Sequence, residues 1–255
     1  QHKWANITNG VHLPTWQKPE FQQPLPNATT LWQHHRKYKQ QLAMVALQRT
    51  GYSFDTNRLI IGWGRRITGY KQLPALFVDI ERLNKILRHT NAPAQLVIAG
   101  KAHPGDNAAK LMLQEVIRHF QKELSGVALF IPNYDLELAQ AMVAGCDIWL
   151  NTPELGWEAS GTSGMKACSN GVLQCTVADG WAAEVEWSGI GWTIDPGKIS
   201  ESVYERLEKD IQPLWMQRDD QGVPQEWVSR MRQSITLAEH YSAQRMLSEY
   251  RRKLY

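Results

Sequence analysis

"GVALFIPNYDLELAQAMVAGCDIWLNTP", residues 126–153, carries the decision about the fold. GVALFIPN (126–133) is a short apolar run halted by proline, and it reads as a strand. LELAQAMVAG (136–145) is made of strong helix formers and ends at a glycine, so it reads as a helix. CDIWLNTP (146–153) is a second apolar run stopped by proline. A helix between two strands is the connection that parallel neighbours require. Strands that are apolar nearly throughout, rather than alternating, belong to sheets covered on both faces.

The same alternation extends outward in both directions. RLIIGWG (58–64) and AQLVIAGK (94–101) read as strands. GYKQLPALFVDIERLNKILRHT (69–90) reads as a helix with Pro74 in its first turns, and PGDNAAKLMLQEVIRHFQKEL (104–124) as another. TSGMKACSNG (162–171) reads as a short helix and VLQCTVA (172–178) as a strand. Upstream, residues 31–50 read as a helix capped by Thr30. Residues 1–30, with Pro14, Pro19, Pro24 and Pro26, read as loop. Residues 201–216 and 225–255 read as two closing helices, the last ending in the solvated basic run YRRKLY (250–255). The expected class is α/β with a doubly wound parallel sheet. An N-terminal segment, 1–30, precedes the main domain, 31–255.

Composition narrows the class of function. The 255 residues are 43% hydrophobic and 21% charged, which suits a globular domain with a sizeable core. A formal charge of +3 is too mild to argue for nucleic acid or a membrane surface. No apolar run is long enough to span a bilayer. QHKWANITNG (1–10) has no signal-peptide core and no initiator Met, pointing to a processed chain or a piece of something longer. The three cysteines, Cys146, Cys168 and Cys175, show no CxxC spacing and read as reduced thiols of a cytosolic protein. Eleven tryptophans suit a core, or sugar stacking. His34, His35, His89, His119 and His240 lack metal-ligand spacing and read as solvent-facing. His103 sits in a loaded loop, and His12 lies close enough to Asn9 to line a shared site.

In a doubly wound sheet the ligand sits at the carboxyl ends of the strands. Three such loops are chemically loaded here. GWGRRITGYK (62–71) carries Arg65, Arg66 and Lys71, an arrangement suited to a phosphate and equally to a solvated basic turn. AGKAHPGD (99–106) is the second. The third is GWEASGTSGMK (156–166), in which Glu158 accepts hydrogen bonds, Ser160 donates or accepts, and glycines open a helix. Such a mixture suits a polyhydroxylated ligand. Lys166 is a surface charge by default, but in a glycine-lined pocket a lysine can lose its proton and form an imine with an aldehyde.

EASGTSGMKACSNGVL (158–173) resembles the pyridoxal-phosphate segment of the α-glucan (glycogen, starch, maltodextrin) phosphorylases. ITNGVHLPTW (7–16), RRITGYKQ (65–72), GKAHPGD (100–106), NYDLELAQAMVAGCD (133–147) and EWVSRMRQSITLAEHYSAQRMLSEY (226–250) resemble that family's C-terminal half, in order. HLPTW and TSGM look more like its short bacterial branch. The resemblance implies the Rossmann-like C-terminal domain of the two-domain GT-B architecture. It implies that Lys166 holds pyridoxal phosphate as a Schiff base, with Arg65, Thr162 and Ser163 on the cofactor's phosphate and Tyr134 beside its ring. Arg66 and Lys71 would bind substrate phosphate. Asn9, Glu158, Ser160 and Gly161 would bind the glucosyl unit. The implied reaction is phosphorolysis of an α-1,4-glucan to glucose 1-phosphate in the cytoplasm.

Two positions depart from the animal enzymes: Gly164 stands for asparagine and Arg65 for lysine. The greater departure is length, because only the second half is matched. The missing N-terminal half would be the partner, so the chain alone is expected to lack turnover. Self-association into a homo-oligomer is an expected consequence of a bared apolar face. Three other readings stay open. One is the donor half of a GT-B glycogen or starch synthase, which needs no aldehyde-binding lysine. Another is a non-catalytic glucan-binding or regulatory module. The third is a bare fold fragment, stable but inert.

Overall fold

A computed structural model describes residues 6–254. Residues 1–5 and Tyr255, at the outer ends of the expected loop segment and basic tail, lie outside the described residues. Six strands form one sheet: β1 (Leu59–Gly64), β2 (Ala94–Ala99), β3 (Ala128–Ile131), β4 (Ile148–Asn151), β5 (Leu173–Val177) and β6 (Trp192–Ile194). Every pairing is parallel, and the spatial order is β3-β2-β1-β4-β5-β6. The order reverses between β1 and β4, which makes their carboxyl ends the switch point of the fold. The α/β doubly wound expectation holds.

The central strands β1, β2, β4 and β5 are buried on both faces because successive side chains enter different cores, while the edge strands β3 and β6 are partly exposed. Leu59, Ile61 and Trp63 of β1 join one apolar cluster with Leu96, Ile98, Ile148 and Leu150. Ile60, Val97, Ala99, Ile131 and Trp149 join the other, under α2 (Ala28–Thr50) and α5 (Leu136–Gly145). The first face is covered by α3 (Ile80–Leu87), α4 (Asn107–Gln121) and α7 (Ile199–Arg206). β1 and β4 approach closely because Gly62 leaves room for the Cys146 side chain, which a Cβ there would strike.

Several expected boundaries move, each for a local reason. The cap of α2 is Asn27 rather than Thr30: its side chain accepts the Thr30 amide at 2.9 Å. The expected helix 69–90 is three pieces. Gln72 adopts left-handed backbone (φ 50°), so 3-10 turns at Gly69–Lys71 and Leu73–Phe77 precede α3, which Asp79 caps. Asp106 caps α4 and shortens that element. The loop-like segment holds a short helix, α1 (Leu13–Trp16), with a 3-10 turn at Pro19–Phe21. α6 (Thr162–Cys168) is the expected short helix, shortened. The closing region divides further. A π-helical turn, Leu207–Ile211, separates α7 from α8 (Gln212–Met216). α9 (Gln225–His240) and α10 (Ala243–Leu254) part at Tyr241 and Ser242, where Val11 forms a parallel bridge. β6 has no counterpart in the sequence reading, since three residues give too short a pattern.

Candidate functional site

β1 and β4 deliver two loops to the switch point, and side chains brace them together. Lys71 from the β1 loop pairs with Glu158 from the β4 loop, both side chains about nine-tenths buried. One residue earlier on each loop, Tyr70 stacks on Trp157 with centroids 6.1 Å apart. Two tethers to main-chain carbonyls run alongside: the Glu154 amide donates to the Tyr70 carbonyl at 2.7 Å, and the Thr152 hydroxyl to the Lys71 carbonyl at 3.0 Å.

Behind this brace lies Arg65. It is buried, donates to the Leu150 carbonyl at 2.8 Å, and stands over the Trp63 ring at 5.1 Å. Burial pulls its guanidinium down to about 10. Its Nε has no partner. Thr68 Oγ1, Asn151 Oδ1 and Ser160 Oγ are likewise buried without partners among the described residues. Buried polar atoms are almost always paired, so these four, with the unpaired indole nitrogen of Trp63 on β1, leave the carboxyl ends of the strands with spare hydrogen-bonding capacity.

The glycine-rich stretch is fixed by a residue that sequence reading did not single out. Asp179, just beyond β5, accepts the amides of Gly156 and Glu158, both at 2.9 Å, through one carboxylate oxygen. Its other oxygen accepts the Gly180 amide at 2.9 Å. Gly180 has φ 56°, and a side chain there would strike the carbonyls of Glu158 and Ser160. Gly161, at φ 82°, turns the chain into α6 over the Glu158 carboxylate, which a Cβ would meet at 3.2 Å. Gly164 faces Trp181 and Gln174, with space for no side chain (2.8 and 2.9 Å). Packing therefore accounts for glycine at that position. An Asp followed by Gly after a strand was the available signal for this anchor.

Lys166, on α6, is half-buried beside a pocket of about 300 Å³ lined with Trp16, Tyr134, Ala139, Val143 and Ser163. Its ammonium stands 3.8 Å from the Trp16 ring centroid, and burial lowers its pKa. Asn170 sets the geometry: its side-chain amide donates to the carbonyls of Trp16 (2.8 Å) and Lys166 (2.9 Å) and accepts the Lys18 amide. Asn170 and Trp16 are further residues that the motif reading passed over. Ser163 Oγ accepts the Trp149 indole at 3.3 Å. Thr162 is partly exposed at the start of α6. The Tyr134 hydroxyl donates to the Gly64 carbonyl at 3.2 Å, linking this pocket to β1, and burial raises its pKa to about 12.

The expected residues are brought together unequally. Arg65, Lys71, Glu158, Ser160 and Gly161 form one group; Tyr134, Ser163 and Lys166 form the adjoining pocket. Arg66 is exposed and lines an open cleft with Lys101, His103 and Tyr134. Asn9 is exposed, its carbonyl held by Arg245 on α10, and no side-chain contact joins it to Glu158. Its neighbour Thr8 reaches Glu184, on the 3-10 turn that follows Asp179. His12 is exposed and bonds only Thr15.

One expectation about side chains needs correction. His35 does not face solvent: it is fully buried and its Nε2 lies 2.7 Å from Asp147. Asp147 also accepts the Lys39 ammonium at 2.6 Å and the Ile60 amide at 2.7 Å. The tryptophans, which suited a core or sugar stacking, are mostly core: Trp32, Trp63, Trp149, Trp181, Trp187, Trp192, Trp215 and Trp227 are buried, Trp16 is half-buried, and Trp157 is exposed. The three cysteines are free and buried. Among the described residues no helix is long and apolar enough to cross a membrane.

A doubly wound sheet with basic, glycine-rich loops at its switch point defines an α/β protein with a candidate ligand site at the carboxyl ends of its strands. Comparison with known sequences makes the assignment specific. The family model for carbohydrate phosphorylases matches residues 17–249, and the chain belongs to that family. It is 33% identical to a glycogen phosphorylase of Aquifex aeolicus, with 98% of this chain and 43% of the relative aligned. It is 32% identical to a glycogen phosphorylase of Mycobacterium tuberculosis, over 96% of this chain and 34% of that protein. A maltodextrin phosphorylase of Thermococcus litoralis is 33% identical over 98% of this chain and 35% of its own length. The chain thus spans between a third and just under half of these curated relatives. The expected likeness to a phosphorylase C-terminal half holds, and the synthase reading falls away.

Proposed function

We propose that this chain is the cofactor- and phosphate-binding half of an α-glucan phosphorylase of GT-B architecture. It acts in the cytoplasm with an N-terminal half to release glucose 1-phosphate from an α-1,4-glucan. The carrying observation is the set of unpaired buried polar atoms on Arg65, Thr68 and Ser160 around the Lys71–Glu158 pair, next to a lysine held in an aromatic pocket. Those residues fit pyridoxal phosphate: an amine with lowered pKa for its aldehyde, the Trp16 and Tyr134 rings as flat neighbours, and unpaired donors on Arg65 and Thr68 of the adjoining β1 loop for its anion.

When bound, that group supplies a phosphate able to exchange a proton with inorganic phosphate near neutral pH. Lys166 anchors it, and Arg65, Thr162 and Ser163 hold its anionic end. Tyr134 walls the ring. Arg66 and Lys71 draw substrate phosphate to the mouth of the site, Lys71 exchanging its Glu158 contact for the incoming anion. Glu158 is thereby released to accept hydroxyls of the glucosyl unit, beside Ser160, the Gly161 backbone and Asn9. The cations offset the charge of two phosphates brought close together. The operative division is a leading segment, 1–30, and a binding domain, 31–255. The isolated chain has no turnover, and it self-associates through the face its partner half would cover.

Visible absorption tests the assignment. Adding pyridoxal phosphate gives a borohydride-sensitive band between about 330 and 420 nm, and Lys166→Ala abolishes it. A band that persists in Lys166→Ala overturns the assignment. Steady release of glucose 1-phosphate from maltodextrin by the chain alone overturns the claim of no turnover.

A further inference from the structure

Trp157 stands apart from the other tryptophans among the described residues. Eight are buried in the core, whereas Trp157 is 63% exposed. An exposed indole on a loop is usually mobile, yet this one is held. It stacks on Tyr70 with 28° between the ring planes. The Lys71 ammonium stands 4.6 Å from the Tyr70 ring on the same brace. The loop beneath Trp157 is pinned on both sides by the Asp179 carboxylate, and the Trp157 amide donates to Glu154. Trp157 and Glu158 are consecutive and meet the consecutive residues Tyr70 and Lys71. The indole therefore sits on the same braced loop as Glu158 and Ser160, one and three residues before them, with one face taken by Tyr70 and most of its surface open.

We infer that Trp157, backed by Tyr70, is a stacking platform for a pyranose ring of the α-glucan, at a subsite adjoining Glu158. The inference rests on the phosphorylase reading and adds a specificity-determining residue to it. A pyranose presents an apolar C–H face that lies flat on an aromatic ring while its rim hydroxyls meet polar groups. Trp157 supplies the first and the Glu158–Ser160 stretch the second. Because the indole is already fixed, stacking requires little ordering of the protein. Leu155, also exposed, lies two residues away and offers no flat face, so it serves as the internal control.

The test is calorimetric titration of the chain with maltoheptaose, alongside sedimentation of the same samples. Trp157→Ala weakens binding about tenfold, Trp157→Phe retains most of it, and Leu155→Ser leaves it unchanged. Equal affinity in wild type and Trp157→Ala overturns the inference, as does a wild type that binds no maltoheptaose. Equal losses in Leu155→Ser and Trp157→Ala, with a shift in sedimentation, identify a protein-covered face instead and also overturn it. The Lys166-dependent absorption band keeps the two readings separate. With the band present and no stacking effect, the platform alone fails; with neither, the phosphorylase reading fails as well.

Discussion

The two ends of strands β1 and β4 are built on opposite principles. At their amino ends, the Asp147 carboxylate receives His35, Lys39 and the Ile60 amide, and Lys39 also donates to the Arg58 carbonyl. At their carboxyl ends, Arg65, Thr68, Asn151 and Ser160 each keep a buried polar atom without a partner. The amino end has one such atom, His35 Nδ1. A charged cluster whose anion is fully engaged ties α2 to the sheet and has little capacity left for a ligand. A cluster left incomplete costs stability and keeps that capacity. One pair of strands thus anchors the fold at one end and offers chemistry at the other.

The largest effect should come from the closed end. Asp147→Ala leaves the Lys39 ammonium buried without its counter-charge and should cost about 3–5 kcal/mol in urea unfolding. Replacing both partners (Lys39→Met with Asp147→Leu) should recover much of that. Acid should expose the same cluster. Burial alone would raise the Asp147 carboxyl, but Lys39 and His35 hold it below its ordinary 3.8. A depressed folded value means stability that is present above the unfolded carboxylate pKa and fades as pH falls through the folded one. Unfolding free energy should therefore drop below about pH 4, and Asp147→Asn should flatten that limb.

The open end should respond less in stability and more in binding. Lys71→Ala strands a buried Glu158 carboxylate and should cost about 2 kcal/mol, while removing any stabilisation of the fold by added phosphate. A thermal shift by phosphate that survives in Lys71→Ala would count against its role. Smaller still, Asp179→Ala should leave global stability within about 1 kcal/mol and speed hydrogen exchange at residues 156–161 alone. The smallest change is chemical: with its pKa lowered by burial, Lys166 should be trapped by pyridoxal phosphate and borohydride at a lower pH midpoint than exposed lysines. A midpoint equal to theirs would sink that expectation.

The contrast also separates what the sequence could disclose from what it could not. The open end was legible because its chemistry is local: Arg65 to Lys71 and Glu158 to Lys166 are runs whose residue types and glycines read directly. The closed end was not. Asp147 sits in an apolar run, and His35 and Lys39 lie 112 and 108 positions away in a helix with many polar neighbours. Nothing near His35 marks it as interior, since only the docking of α2 buries it. Asp179 and Asn170 escaped notice for a related reason: each works through backbone groups of a distant loop. Along the chain, long periodic elements such as α5 emerged intact. The helix expected over 69–90 did not, because one left-handed residue, Gln72, outweighed its apolar spacing.

The brace between the β1 and β4 loops has one more consequence, in entropy. Tyr70 on Trp157, Lys71 on Glu158 and the two tethers to main-chain carbonyls remove the independent motion of both loops. That freedom is lost once, when the chain folds, and not again at each binding event. A ligand arriving at the switch point meets loops already in place, with only the Lys71–Glu158 contact left to exchange, so weak individual contacts can add up to useful affinity there.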